Sequence, residues 1–167
     1  MITNQQLRDA FLSPQMKYYF DKKLAPLTSD EVDIRIEETL KFLNMAVHCG
    51  GQIPVSREID EVWHYWILET AEYQKLCAKL DGGLFVNHSS NDYAEYHDSN
   101  AKNLKIDLEH GISFLSSYVR NYGAFEQNRL KYWPVATYLL DIPGWNLDKL
   151  NEWLASAFQS GKYEAAE

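Results

Sequence analysis

Hydrophobic residues recur along most of this chain at intervals of three and four, the spacing that places side chains on one face of an α-helix. Strict alternation of polar and apolar residues, which is typical of strands, is nearly absent. The predicted helical stripes are Val32, Ile36, Leu40, Leu43 and Val47; Ile59, Val62, Trp63, Trp66 and Ile67; Leu104, Leu108, Ile112, Leu115 and Val119; and Leu147, Leu150, Trp153, Leu154 and Phe158. We therefore expect an all-α fold, a single compact bundle of about five to seven helices.

Capping residues and helix breakers indicate where these helices begin and end. Thr28 and Glu31 form the capping-box pattern T-x-x-E, and Ser56 is a favourable N-cap. The predicted interruptions and stops are Ser13-Pro14, Gly50-Gly51, Gly82-Gly83, Gly123, Pro134 and Pro143-Gly144. Pro134 is expected to start or bend a helix within residues 128–140. We expect one domain over residues 1–160 and a frayed C-terminal tail over 161–167.

The net charge and the cysteine content indicate which binding partners and which cellular compartment to expect. The formal net charge is −8, and binding to nucleic acid or to an anionic membrane surface requires clustered Lys and Arg, so neither is expected as a partner. No apolar run reaches the roughly 18 residues of a membrane span. Cys49 and Cys77 form no C-x-x-C pair, and two unpaired thiols suit a reducing compartment. We therefore expect a cytoplasmic location.

The stretch IDEVWHYWILETAEYQKLC, residues 59–77, mixes core residues with residues that bind metals or move protons. Asp60 and His64 are four residues apart, so on a helix they share a face beside the apolar stripe. Such a pair can orient an imidazole, share a metal ion or simply decorate the surface. His88 follows the Gly82-Gly83 turn in an irregular, polar segment and could fold back toward His64 or Cys77.

Cys77 can join His64 at one site only if the helix bends between them. Thirteen residues of straight helix span about 20 Å, which is too far for a shared ion. A break at Glu69-Thr70, with Thr70 as the N-cap of a new helix, would remove this obstacle. The alternative is that Cys77 is a small buried hydrophobe.

The residues from Pro54 to His88 resemble the uncharacterised helical domain of the plant glycine-rich domain-containing proteins and their short bacterial relatives. The shared pattern is V-W-H … Y … C … G-x-F … H. The matching residues in this chain are Pro54, Ser56, Asp60, Val62, Trp63, His64, Leu68, Tyr73, Cys77, Gly83, Phe85 and His88. A weaker similarity follows at Tyr118, Tyr122-Gly123 and Trp133-Pro134. Many members carry a helix breaker at the position of Glu69-Thr70. Many also carry W-H-x-H, where this chain has Trp66.

The resemblance strengthens the expectation of a site but implies no established activity. The expected metal ligands are His64, Cys77 and His88, with Asp60 as an orienting or additional ligand. These N, S and O donors suit a divalent metal such as zinc. A Gly-rich phosphate loop, G-x-S-x-G and H-E-x-x-H are all absent from the sequence, so no particular reaction is predicted.

Three functional hypotheses remain open. The first is a helical domain that binds a metal or small ligand through the His/Cys/Asp cluster, with catalysis as one use of that site. The second is an acidic accessory or immunity-type module that binds a protein partner with a basic surface. In the third, the W-H motif is purely architectural, with His64 hydrogen-bonded to a backbone carbonyl and Cys77 packed in the core.

Overall fold

The computed structural model describes residues 2–48, 53–88 and 104–159, and within these ranges the chain is helical without strands. The eight α-helices described are α1 (Asn4–Phe11), α2 (Pro14–Lys23), α3 (Ser29–Ala46), α4 (Arg57–Leu68), α5 (Thr70–Lys79), α6 (Leu104–Tyr122), α7 (Pro134–Leu140) and α8 (Leu147–Gln159). Short 3₁₀ turns cover Asp81–Gly83 and Leu130–Tyr132. The predicted all-α fold is confirmed. The number of helices exceeds five to seven because breakers divide the helical stretches into short pieces.

Some sequence predictions lie outside the described residues. They concern Cys49, the Gly50-Gly51 stop and the tail at 161–167. In the part of the chain that is described, no helix is long and apolar enough to cross a membrane.

The predicted helix starts agree with the structure, with two corrections. The Ser56 hydroxyl accepts a hydrogen bond from the Ile59 amide and caps α4. The Thr28 hydroxyl likewise accepts from the Glu31 amide, but the Glu31 carboxylate binds Lys131 and Tyr132 rather than closing a capping box.

The helix break predicted at Glu69-Thr70 is present between α4 and α5. Its N-cap is Glu69, with φ −90° and ψ 67°, and Thr70 is the first residue of the new helix instead of its cap. The predicted role of Thr70 as N-cap is therefore wrong, although the position of the break is right. Pro134 was predicted either to start or to bend a helix, and it is the first residue of α7.

Helix α3 is the centre of the bundle, packing against α1, α2, α4 and α6. Every residue from Ile36 to Leu43 is buried, so this part of the helix is enclosed on all sides. A helix enclosed in this way is normally apolar all round. Glu37, Glu38 and Lys41 lie in the enclosed part, and buried charges are tolerated only when they are paired and hydrogen-bonded.

Glu38 is the hub of this buried polar network and has 0% of its surface exposed. Its carboxylate accepts hydrogen bonds from Lys41 Nζ at 2.8 Å, Arg129 Nη1 at 2.7 Å, Trp133 Nε1 at 2.8 Å and the Tyr118 hydroxyl at 3.0 Å. The Lys41 ammonium also donates to the Tyr118 hydroxyl at 2.8 Å. Because the donors come from α3, α6 and the segment 129–133, one carboxylate joins three parts of the chain.

Arg129 extends the network to Glu37. Its Nη2 lies 2.7 Å from Glu37 Oε2, while Arg8 of α1 pairs with the other Glu37 oxygen. Burial lowers the pKa of Lys41, although the neighbouring Glu38 carboxylate acts in the opposite direction. Burial also raises the pKa of Tyr118, with the Glu38 charge adding to the effect, so this hydroxyl remains a donor at neutral pH.

Helices α6 and α7 approach closely at Gly111. A Cβ atom at this position would lie 2.7 Å from Val135 Cγ2 and 3.3 Å from Val135 Cγ1. Distances this short require one side chain to move, and the short, β-branched Val135 has little freedom to do so. Gly111 therefore permits the packing of α7 on α6.

Replacement of Arg129 tests the buried network. Arg129→Met should lower the free energy of unfolding by about 3–5 kcal/mol, because it removes two buried charge-assisted hydrogen bonds, to Glu37 and to Glu38, and leaves these carboxylates with Arg8 and Lys41 as their cationic partners. Lys131→Met is the matched control, since its pair with Glu31 is partly exposed and should contribute at most about 1 kcal/mol. Urea unfolding of both variants measures the difference. Equal losses would show that the network does not hold the bundle together.

A second substitution tests the contact between α6 and α7. Gly111→Ala should cost about 1–3 kcal/mol of stability through overpacking against Val135. In a Val135→Ala background the same change should be neutral, or stabilising by up to about 1 kcal/mol, because alanine is the better helix former. A double-mutant cycle by chemical denaturation measures the coupling. Equal effects in both backgrounds would exclude the steric explanation.

Candidate metal centre

Helix α4 presents Asp60 and His64 at the surface while its opposite side enters the core. Ile59, Val62, Trp63 and Trp66 are buried, as their predicted stripe required. The side chains of Asp60 and His64 are 44% and 52% exposed. One helical turn separates them, so they form an adjacent pair at the edge of the buried face.

The ring of His64 is oriented by its own helix. Its Nδ1 lies 2.8 Å from the Asp60 carbonyl oxygen and 3.3 Å from Asp60 Oδ2. A carbonyl oxygen can only accept, so Nδ1 carries a proton and donates to it. In the neutral ring the lone pair is then on Nε2, the tautomer that suits a metal ligand held by a backbone carbonyl.

His88 reaches the same place from the irregular segment that follows α5. Gly82 and Gly83, with φ of 74° and 61°, turn the chain in a conformation that favours glycine. His88 Nε2 lies 3.0 Å from Asp60 Oδ1, and the ring centroids of His64 and His88 are 4.2 Å apart. The His88 ring also packs edge-on against Trp63 at 4.5 Å. The predicted return of this segment to Asp60 and His64 is therefore present.

Asp60, His64 and His88 bring three metal-binding atoms together. One nitrogen of each imidazole and one carboxylate oxygen all lie within 4.8 Å of one another. Metal bonds of about 2.0–2.1 Å in a tetrahedral arrangement place neighbouring ligand atoms about 3.3 Å apart. The 3.0 Å separation of Asp60 Oδ1 from His88 Nε2 is close to this value, so these two atoms need little movement to share an ion.

Cys77 does not belong to this group, contrary to the predicted ligand set. Its thiol is free, and its surface is 2% exposed, on the core-facing side of α5 with Tyr73 and Leu76. The break after α4 does change the chain direction, but the apolar face of α5 takes Cys77 into the core. Asp60, predicted as an orienting or additional ligand, contacts both imidazoles directly.

The remaining described histidines lie elsewhere. His48 Nε2 pairs with Asp81 Oδ2 at 2.7 Å, and both side chains are well exposed. His110 is exposed on α6.

Tyr73, a residue of the shared motif that was not predicted as part of the site, lies near it. Its hydroxyl accepts a hydrogen bond from Trp63 Nε1 at 2.9 Å and donates to the Val86 carbonyl at 2.5 Å. Burial raises the pKa of Tyr73, so the hydroxyl stays protonated at neutral pH. The signal was present in the composition of the motif, because a buried Trp and a buried Tyr each need a polar partner.

Comparisons with models of known protein families, with curated proteins and with solved structures find no match to this chain. The resemblance to the helical domain of the glycine-rich domain-containing proteins accordingly rests on the motif residues named above.

Proposed function

We propose that Asp60, His64 and His88 bind one divalent transition-metal ion, with zinc as the first candidate. The observation that carries the proposal is the convergence of two imidazole nitrogens and a carboxylate oxygen within 4.8 Å. Nitrogen-rich sets with one carboxylate favour zinc and its transition-metal neighbours over magnesium or calcium, which prefer oxygen ligands.

The orientation of each donor supports this proposal. The Asp60 carbonyl holds the His64 ring, so little side-chain freedom remains to be lost on binding. His88 Nε2 donates a hydrogen bond to the Asp60 carboxylate in the metal-free protein, so metal binding through this nitrogen requires the imidazole proton to be on Nδ1 instead.

Three protein ligands leave a coordination position for water or substrate, as in catalytic rather than structural zinc sites. The partial exposure of Asp60 and His64 gives solvent access to that position. A zinc ion bound there would supply Lewis-acid chemistry and lower the pKa of a bound water. The proposal thus extends to metal-assisted hydrolysis or hydration, with no substrate specified.

Burial distinguishes this proposal from a purely architectural W-H motif. Trp63 is buried and contacts Phe42 of α3 at 5.2 Å between ring centroids, so it has a structural role. His64 makes the backbone hydrogen bond and Cys77 packs in the core, as the architectural hypothesis requires, but more than half of the His64 side chain is exposed. Removing His64 therefore leaves no buried group without a partner.

The proposed location is a reducing compartment such as the cytoplasm. Cys77 is a free thiol enclosed in the core, where oxidation would disturb packing.

Metal analysis of untagged protein tests the proposed site. The wild type should bind about one equivalent of Zn²⁺ per chain, and His64→Ala and His88→Ala should each weaken the affinity by at least about tenfold. His64→Ala should change the free energy of unfolding by less than about 0.5 kcal/mol, as expected for a surface substitution. Chelator competition and urea unfolding provide the two measurements.

His48→Ala is the matched control, because it removes an exposed histidine that is also paired with a carboxylate. It should leave Zn²⁺ affinity unchanged. A wild-type protein that binds no transition metal would refute the proposal. So would equal affinities in the wild type and in both site variants.

A further inference from the structure

The segment 84–88 delivers His88 to the candidate metal centre without belonging to a helix or strand. Leu84 and Phe85 are both more than half exposed, so they give it little anchorage in the core. Val86 packs against the core, and its carbonyl receives the Tyr73 hydroxyl hydrogen bond. The Phe85 ring also packs edge-on against the Tyr73 ring at 5.3 Å between centroids. Tyr73 thus contacts two consecutive residues of the segment.

The distance from this anchor to the site is short. His88 is two positions after Val86 in the sequence, and an extended chain advances at most about 7 Å over that interval. Fixing the Val86 carbonyl therefore limits the positions that the His88 imidazole can reach. Without this anchor, metal binding by His88 would have to fix several backbone torsions of the segment, and the lost conformational entropy would weaken binding.

Trp63 closes the arrangement into a ring of contacts. Its indole N–H donates to the Tyr73 hydroxyl at 2.9 Å, and its ring packs against His88 at 4.5 Å. Trp63 therefore contacts both the Tyr73 hydroxyl and the His88 ring. It is also adjacent in sequence to His64. The Tyr73 hydroxyl accepts one hydrogen bond, from Trp63, and donates another, to Val86. Phenylalanine at this position could make neither hydrogen bond.

We propose that Tyr73 is a positioning residue for the metal centre, holding His88 beside Asp60 and His64 through the Val86 carbonyl. The expected effect on metal affinity rests on the proposed function. The placement of His88 by Tyr73 does not, and it can be measured in the metal-free protein.

Tyr73→Phe removes the single oxygen atom on which the proposal depends. Zn²⁺ affinity should fall by about tenfold, the low end of the effect of removing a group that orients a metal ligand. In the metal-free protein, nuclear Overhauser contacts between the His88 and Trp63 rings should be present in the wild type and lost in Tyr73→Phe. Helical circular dichroism should be retained.

Tyr122→Phe is the matched control. Tyr122 is a partly buried tyrosine of α6 whose hydroxyl accepts a hydrogen bond from Asn44 at 3.0 Å, and its pKa is also raised by burial. Its removal should leave both Zn²⁺ affinity and the contacts between His88 and Trp63 unchanged. A loss of affinity equal to that of Tyr73→Phe would overturn the positioning role, because it would mean that any buried hydroxyl has the same effect.

The remaining outcomes separate the two proposals. If the wild type binds no Zn²⁺, the metal-site proposal fails, and the ring contacts alone decide the role of Tyr73: their loss in Tyr73→Phe supports it and their retention overturns it. If Tyr73→Phe does not fold, the hydroxyl proton of Tyr73 in the metal-free wild type decides, because a hydroxyl that donates to the Val86 carbonyl exchanges slowly with water. A slowly exchanging proton with nuclear Overhauser contacts to residues 86–88 supports the proposal, and the absence of such a proton overturns it.

Discussion

The buried carboxylate of Glu38 is the constraint on which the rest of this bundle depends. A fully enclosed negative charge is stable only with several donors around it, and here the donors come from α3, α6 and the segment 129–133. An arrangement that moved any of these parts away would leave a charge in the core. Apolar stripes alone can pack in several registers, whereas this network requires an arrangement in which all four donors reach Glu38. We therefore attribute to the Glu38 network both the stability of the bundle and the selection of this packing of the helices.

Aromatic contacts connect this network to the candidate metal centre. Trp133, a donor to Glu38, packs against Phe114 at 5.3 Å, and Phe114 lies 6.2 Å from Phe42 of α3. Phe42 in turn packs against Trp63 at 5.2 Å, and Trp63 supports both His88 and Tyr73. The site thus lies on a packed aromatic layer although its own residues are partly exposed. Packing of this kind limits the positions that the ligand side chains can take.

Periodicity and capping chemistry were enough to predict the helices, because both act between neighbouring residues. The break at Glu69-Thr70 and the pairing of Asp60 with His64 are local in the same sense. The place of His88 was predicted as one of two options, and the structure selects His64. Cys77 was predicted as a ligand but lies in the core, because its distance from the site depends on which face of α5 is buried. Glu38 and Arg129 were missed because their pairing joins residues 91 positions apart, and no local pattern marks it.

Optical spectroscopy of the Co²⁺-substituted protein tests the central claim most directly, because cobalt reports the ligands that a zinc site supplies. A site built from Asp60, His64 and His88 should bind one Co²⁺ per chain and show visible ligand-field bands without a thiolate-to-cobalt charge-transfer band. The spectrum of Cys77→Ser should then match that of the wild type. A charge-transfer band that disappears in Cys77→Ser would contradict the ligand set that we propose, and so would failure of the wild type to bind Co²⁺ at all.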